Sequence, residues 1–162
     1  GLHQYKDGLR LMVSSWARPA PHTLPVMAKS AATYPLSIIS RHEAEQQDCN
    51  DALLLDYRGY LAEATAANLF IIIDGDIHTP IPECFLNGLT RQVVMDLAVK
   101  AGMRVIERAI HPDELKSAEE VFLTGTAYEI MPVREIVGIG EYPYGPITKK
   151  MQTRFFETTT EC

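Results

Sequence analysis

Short apolar runs separated by clusters of Gly, Pro, Asn and Asp dominate this chain, and few stretches carry the 3.6-residue period of a helix. Residues 9–15 (Leu-Arg-Leu-Met-Val-Ser-Ser) read as a strand. Pro19, Pro21 and Pro25 then oppose both helix and sheet, which predicts a rigid loop over 18–25. A helix is predicted over 36–47, with Leu36, Ile39 and Ala44 as its apolar positions and Asp48-Cys49-Asn50-Asp51 as its stop. The centre reads as a β-meander, with strands over 52–57, 60–64, 68–74 and 77–79. Arg58-Gly59 marks one turn and Asp74-Gly75 is a strong hairpin signal.

The clearest helix lies over 91–101, where Val94, Leu97, Ala98 and Ala101 share a face. Thr90 suits its N-cap, and Gly102 suits the position just past its end. Strands follow over 103–108, over 121–124 and within 131–139. A short helix over 111–116 starts near Pro112 or Asp113, and a final helix over 147–157 follows Gly145-Pro146. No repeat, linker or low-complexity stretch interrupts the pattern. The expected class is α+β, in one unit.

Composition narrows the function. The chain has 162 residues, 46% hydrophobic and 22% charged, enough to bury a core without disulfides and unlike a disordered or fibrous chain. Fifteen basic against 21 acidic residues give a net charge of −6. Without a basic stripe, nucleic acid is not an expected partner. The most apolar window, 69–73, is too short to span a bilayer, and no signal peptide is visible. The chain opens on Gly1, so it is expected to begin inside a longer one. Cys49, Cys84 and Cys162 suggest neither a disulfide framework nor a zinc site. His3, His22, His42, His78 and His111 form no ligand cluster, so no metal is expected, and a reduced cytoplasmic compartment is favoured.

Four places hold candidate chemistry. Lys29 lies among small residues after the proline loop. A surface lysine is the ordinary reading; a Schiff-base lysine is the alternative, and it needs a partly desolvated amine. Glu63 is flanked by small residues, Ala62 and Ala64, and reads either as a solvated edge charge or as a carboxylate facing a flat ring. Asn68 reads as a tie for the turn that follows it. Leu86-Asn87-Gly88-Leu89-Thr90-Arg91 leads into the helix, with Gly88 for conformational freedom. Free N–H groups there, with the Thr90 hydroxyl, also suit an anion. Thr124-Gly125-Thr126-Ala127 is a second hydroxyl-rich turn able to bind oxyanions through its backbone.

In this order the segments resemble one family. They are Ala28-Lys29 to Tyr34, Gly59-Tyr-Leu-Ala-Glu63-Ala-Thr-Ala-Ala-Asn68-Leu-Phe, Phe85-Leu-Asn-Gly-Leu-Thr-Arg91, Thr124-Gly-Thr-Ala-Tyr-Glu-Ile-Met-Pro-Val133 and Gly145-Pro-Ile-Thr-Lys-Lys150. The chain resembles the class IV, or fold type IV, pyridoxal-phosphate aminotransferases, most of all the branched-chain amino-acid aminotransferases. The resemblance implies that Lys29 forms a Schiff base with the cofactor and later carries a proton. It implies that Tyr34 lies near the cofactor's 3-hydroxyl and that Glu63 pairs with its pyridine nitrogen. Leu89 and Thr90 would hold the phosphate, with Leu86 and Gly88 shaping the loop and Thr126 as a further phosphate ligand. Thr126 and Ala127 would receive the substrate carboxylate.

The implied reaction is ping-pong transfer of the amino group of leucine, isoleucine or valine to 2-oxoglutarate. The implied fold is a mixed, barrel-like sheet flanked by helices, with the lysine near a strand, in a homodimer or larger homo-oligomer. Residues 1–162 are expected to be the family's large cofactor domain alone, without its smaller N-terminal domain, with little activity in isolation and apolar surface left uncovered. Two departures bear on substrate class. Ala64-Thr65-Ala66-Ala67-Asn68 stands where Gly-Ala-Gly-Glu-Asn is common, and Leu86-Asn87-Gly88 where Leu-Pro-Gly is common. D-amino-acid aminotransferases and aminodeoxychorismate lyases of the same fold are the alternatives within the enzymes. A non-catalytic domain is the alternative outside them. Trp16, Tyr128 and Tyr142 read either as pocket residues or, in the more ordinary case, as packing residues.

Overall fold

The computed structural model describes residues 6–161, with the side chains of residues 26–30 outside that description. Strand β1 (Leu9–Arg18) crosses over through helix α1 (Val26–Gln46) to β2 (Asp51–Asp56), which lies parallel to it. The meander follows: β3 (Leu61–Ala64), β4 (Asn68–Ile73) and β5 (Asp76–Pro80) pair antiparallel in turn. Asp74 and Gly75 join β4 to β5 with φ of 50° and 78°, the double left-handed geometry a two-residue hairpin needs. Helix α2 (Leu89–Lys100) crosses over to β6 (Val105–Arg108), parallel to β5. A 3-10 helix (Pro112–Ser117) leads to β7 (Glu120–Gly125) and β8 (Glu129–Ile136). The short β9 (Gly140–Glu141) and helix α3 (Pro146–Thr160) close the chain.

Pairing closes six of these strands into a ring. The order β3-β2-β1-β8-β7-β4 returns to β3 through a single bridge, Glu63 opposite Asn68. The expected mixed barrel is therefore present, with β5 and β6 continuing the sheet outside it from β4. Strand β4 is buried on both faces, which is why residues 69–73 read as an unbroken apolar run. Leu69 and Ile71 enter the barrel beside Leu9, Leu11, Leu53 and Leu123. Phe70 and Ile72 turn outward onto Val94 and Ala98 of α2 and Met151 of α3. Phe70 stacks on its register partner Phe122 at 5.0 Å between centroids. Each such fully buried side chain contributes on the order of 1.5–3 kcal/mol.

The helix ends differ from the sequence expectation. Helix α1 begins at Val26, not residue 36, so Lys29 lies on its first turn. Ala28, Ala31 and Ala32 favour helix strongly enough to carry it across Pro35, which gives up one backbone bond. Strand β1 runs on through Trp16 to Arg18, where a loop was expected. Helix α2 starts earlier than expected: Gly88 holds the N-cap position, and Thr90 is already helical. Its end is as expected. Gly102 takes φ 78°, its N–H reaches Val99 O, and the Met103 N–H reaches Ala98 O, a Schellman closure. Helix α3 is longer than expected at both ends, running from Pro146 to Thr160. Among the described residues no helix is long and apolar enough to cross a membrane.

Candidate functional site

The barrel's closing bridge is also the centre of the site. A cavity of about 220 Å³ opens there, and it gathers residues far apart in sequence. Glu63, Leu86, Gly88, Leu89, Thr90 and Thr126 all line it, six of the positions singled out from sequence. A larger, more apolar cavity of about 680 Å³ shares Thr33, Glu63, Thr65, Ala66 and Leu86 with it and adds Tyr34, Ile38, Arg41 and Phe85. Tyr34 stands on α1, 71% exposed, at this second space. Ala127 follows Thr126 in the exposed β7–β8 turn and lines neither cavity. Lys29 lies on α1, and its side chain falls outside the described residues. A further cavity between β8 and α3 contains none of the expected site residues.

One wall is a helix N-terminus. Among the described residues no side chain accepts from the Leu89, Thr90 or Arg91 N–H, and no acidic residue sits in the first turn of α2. The first N–H groups of a helix have no intrahelical partner, and they carry the positive end of its dipole. Here they face the cavity beside the Thr90 side chain. Thr124 lines the same cavity; it is fully buried, and among the described residues its Oγ1 has no hydrogen-bond partner. A buried hydroxyl left unpaired is costly, so this oxygen marks a position where a ligand atom fits. The only arginine of that first turn, Arg91, is 1% exposed and points away. It donates to Asn87 Oδ1 (2.8 Å), Pro80 O (3.1 Å) and Glu107 Oε2 (2.8 Å). The cradle is therefore neutral, made of backbone and hydroxyls, with Arg91 fixing the loop from behind.

Asn68 does not tie its own turn. Its Nδ2 donates to Leu86 O at 2.9 Å, and its Oδ1 accepts from the Gly88 N–H at 3.2 Å, so it pins the 86–88 loop onto β4. This also corrects the reason for Gly88. Its φ is −61°, open to any residue, but a Cβ there would come within 2.6 Å of Asn68 Oδ1. Gly125 is small for a similar cause: a Cβ would stand 3.0 Å from Ala66 O. The run of small residues at 64–67 thus lets the β7–β8 turn approach the β3–β4 turn closely.

The opposite wall is charged. Glu63 is 7% exposed, and its Oε1 accepts from Arg18 Nη2 at 2.8 Å. Burial pushes the Glu63 carboxyl up to about 7; Arg18 opposes that rise, and the nearby Asp51 adds to it. Arg18 is 1% exposed and also donates to Ser37 Oγ (3.1 Å) and Thr33 O (3.4 Å), which ties β1 to α1 behind the carboxylate. Sequence reasoning missed Arg18. It stood at the edge of a proline loop, and only the extension of β1 to residue 18 turns it inward. Of the aromatic residues read as packing, Trp16 is half exposed. Tyr142 is buried, with its hydroxyl on Leu115 O, and Tyr128 packs against the barrel core.

The family model for amino-transferase class IV matches residues 2–136. The chain belongs to the class IV aminotransferases. It is 40% identical over 159 residues to the branched-chain-amino-acid aminotransferase of Escherichia coli K12, covering 96% of this chain and 52% of that one. The crystal structure of the Escherichia coli branched-chain amino acid aminotransferase superposes with a TM-score of 0.87 at 39% identity, over 93% of this chain and 52% of that one. The T.th. branched-chain amino acid aminotransferase complexed with N-(5'-phosphopyridoxyl)-L-glutamate gives 0.90 at 35% identity, over 98% and 54%. The chain spans about half the length of the curated relatives it matches.

Proposed function

We propose that residues 1–162 form the large cofactor domain of a pyridoxal-phosphate aminotransferase that moves the amino group of leucine, isoleucine or valine to 2-oxoglutarate. One observation carries the reading. An uncapped helix N-terminus and a buried carboxylate line one cavity, as a cofactor with a phosphate and a pyridine nitrogen requires. The unpaired Thr124 hydroxyl beside the helix end fits a phosphate oxygen. The names of the relatives and the phosphopyridoxyl ligand of the T.th. structure support the same assignment.

Bound there, the cofactor supplies an aldehyde for amine exchange and a ring that stabilises a carbanion. The residues of the chain would divide the rest. Backbone N–H groups of Leu89 and Thr90, with the hydroxyls of Thr90, Thr124 and Thr126, hold the phosphate, while Leu86 and Gly88 shape the loop. Glu63, steadied by Arg18, shares a proton with the ring nitrogen. Tyr34 approaches the ring's hydroxyl from α1. Lys29 holds the cofactor covalently and moves the proton at the substrate's α-carbon. Thr126 and Ala127 take the substrate carboxylate on backbone N–H groups. The working protein would be a cytoplasmic homodimer or larger homo-oligomer, which covers the exposed Tyr34, Leu86 and Leu89.

The test is the near-visible absorbance of the protein with pyridoxal phosphate, before and after borohydride. A band trapped in wild type and absent in Lys29→Ala is expected. A trapped band that persists in Lys29→Ala overturns the role of Lys29. Amino transfer from L-leucine to 2-oxoglutarate is expected of the full-length protein. Transfer from D-alanine instead, or pyruvate release from aminodeoxychorismate, overturns the substrate class.

A further inference from the structure

Asp51 is a carboxylate that the proposed reaction does not use, and it has no exposed surface. It opens β2 and sits inside the end of the barrel next to the site. Its Oδ1 accepts from the Ala52 N–H (2.8 Å), the Thr65 N–H (3.3 Å) and Thr65 Oγ1 (2.6 Å). Its Oδ2 accepts from the Tyr128 hydroxyl at 3.2 Å. These donors are neutral. A buried charge is expensive to keep, and among the described residues this one has only neutral hydrogen-bond donors.

The partners show where it acts. Thr65 belongs to the β3–β4 turn, and Tyr128 ends the β7–β8 turn. Thr65, Ala66 and Ala67 of the first turn, and Gly125 and Thr126 beside the second, line the cavity. Gly125 and Ala66 are already at the limit of approach. One carboxylate therefore sets the spacing of two turns that form one wall of the site. Its partner Thr65 lies two residues from Glu63.

We propose that Asp51 is a positioning residue: it clamps the 64–67 and 125–128 turns together and, through Thr65, holds the strand end that carries Glu63. Arg18 from β1 pairs with Glu63, Asp51 from β2 acts on it at longer range, and Tyr34 and Arg41 of α1 and Cys84 of the loop after β5 line the same space. Arg18 lowers the affinity of Glu63 for a proton and Asp51 raises it, so removing Asp51's charge tips the balance toward the ionised form.

The link to catalysis rests on the reading of Glu63 given above, so the test is made on cofactor-free, full-length protein, where it does not depend on that reading. Carbon-13 NMR follows the Glu63 side-chain carboxyl against pH, with Glu63→Gln identifying the signal. Asp51→Asn keeps the shape and removes the charge. It is expected to lower the Glu63 midpoint by roughly half a pH unit or more. Hydrogen exchange at residues 65–67 and 126–128 is expected to quicken roughly tenfold in Asp51→Ala. Should Asp51 variants fail to fold, Thr65→Val and Tyr128→Phe carry the test, each loosening its own turn while sparing the charge. A Glu63 midpoint that stays put in a folded Asp51→Asn, or turns whose exchange is unchanged in all these variants, overturns the inference. Failure of pyridoxal phosphate to bind, with the Glu63 shift present, would overturn the cofactor reading and leave this one standing.

Discussion

Two helices begin against the same outer layer of the barrel, and their N-termini are treated in opposite ways. At α3, Glu120 reaches across from β7 and closes the end. Its carboxylate accepts from the Thr148 N–H and hydroxyl, both at 2.8 Å, and from the Ile147 N–H at 3.1 Å. The closure is tight: a Cβ at Gly145 would run into that carboxylate. At α2 no side chain among the described residues does this, although the first turn lines a cavity that also holds a buried, unpaired hydroxyl. A protein that can cap one helix with a buried carboxylate has the means to cap the other. Leaving α2 open makes its free N–H groups available to a ligand, at a cost in stability that the ligand would offset.

The strongest way to break this contrast is to open the closed end. Glu120→Ala removes the acceptor for two backbone N–H groups and the buried Thr148 hydroxyl. Unpaired buried donors and a lost cap together are expected to cost about 3–5 kcal/mol in urea unfolding. Pyridoxal phosphate should raise wild type and variant by the same increment, since this end is not a binding site. An increment lost along with Glu120 would mean that the two termini are not separate in function.

Next in size is the charged wall facing α2. Glu63 titrates near 7 in the fold against an ordinary 4.5, because it is buried. The folded protein therefore binds this proton more tightly than the unfolded chain. The sign follows: the contribution is fully present below pH 4.5 and is lost as pH rises through about 7. The loss is on the order of 3 kcal/mol for the cofactor-free protein. Unfolding of wild type should weaken over that window relative to Glu63→Gln, whose profile lacks this step. Parallel profiles would show that Arg18 holds the carboxylate ionised throughout.

What the sequence disclosed follows the same division. Local signals read well: Asp74-Gly75 gave its hairpin, Gly102 its helix end, and 86–91 its loop-to-helix entry. The site residues of those segments meet in one cavity. What stayed hidden depends on pairings across the whole chain. The ring closes because β8, more than a hundred residues on, lies parallel to β1, and no periodicity in either strand announces it. Arg18 and Asp51 were invisible for the same reason. Each is an ordinary charged residue at the edge of a strand until the barrel turns it inward. Gly88 was seen for the wrong cause, since the contact that requires a glycine comes from Asn68, twenty residues away.

That contact gives the third test. Gly88→Ala forces a methyl group against Asn68 Oδ1, where the two would be 2.6 Å apart, so the 86–88 loop must shift. About 2 kcal/mol of destabilisation is expected. In an Asn68→Ala background the same change should cost much less, because the clashing atom is gone. Additive effects in this double-mutant cycle would mean that the clash is relieved elsewhere.

The smallest effect on folding separates the two termini most sharply. Thr124→Val replaces the unpaired hydroxyl by a methyl group of the same shape. Nothing in the cofactor-free fold depends on that oxygen, so stability should hold or rise by less than about 1 kcal/mol. At the α3 end the matching change, Thr148→Val, discards a 2.8 Å bond to a buried carboxylate and should destabilise. Ligand binding should reverse the order. Thr124→Val is expected to weaken pyridoxal phosphate by up to roughly tenfold, the worth of one hydrogen bond to a charged oxygen, while Thr148→Val leaves its affinity in place. Equal affinities in the two variants would show that the Thr124 hydroxyl is a packing accident, and that the open end of α2 recognises its anion without it.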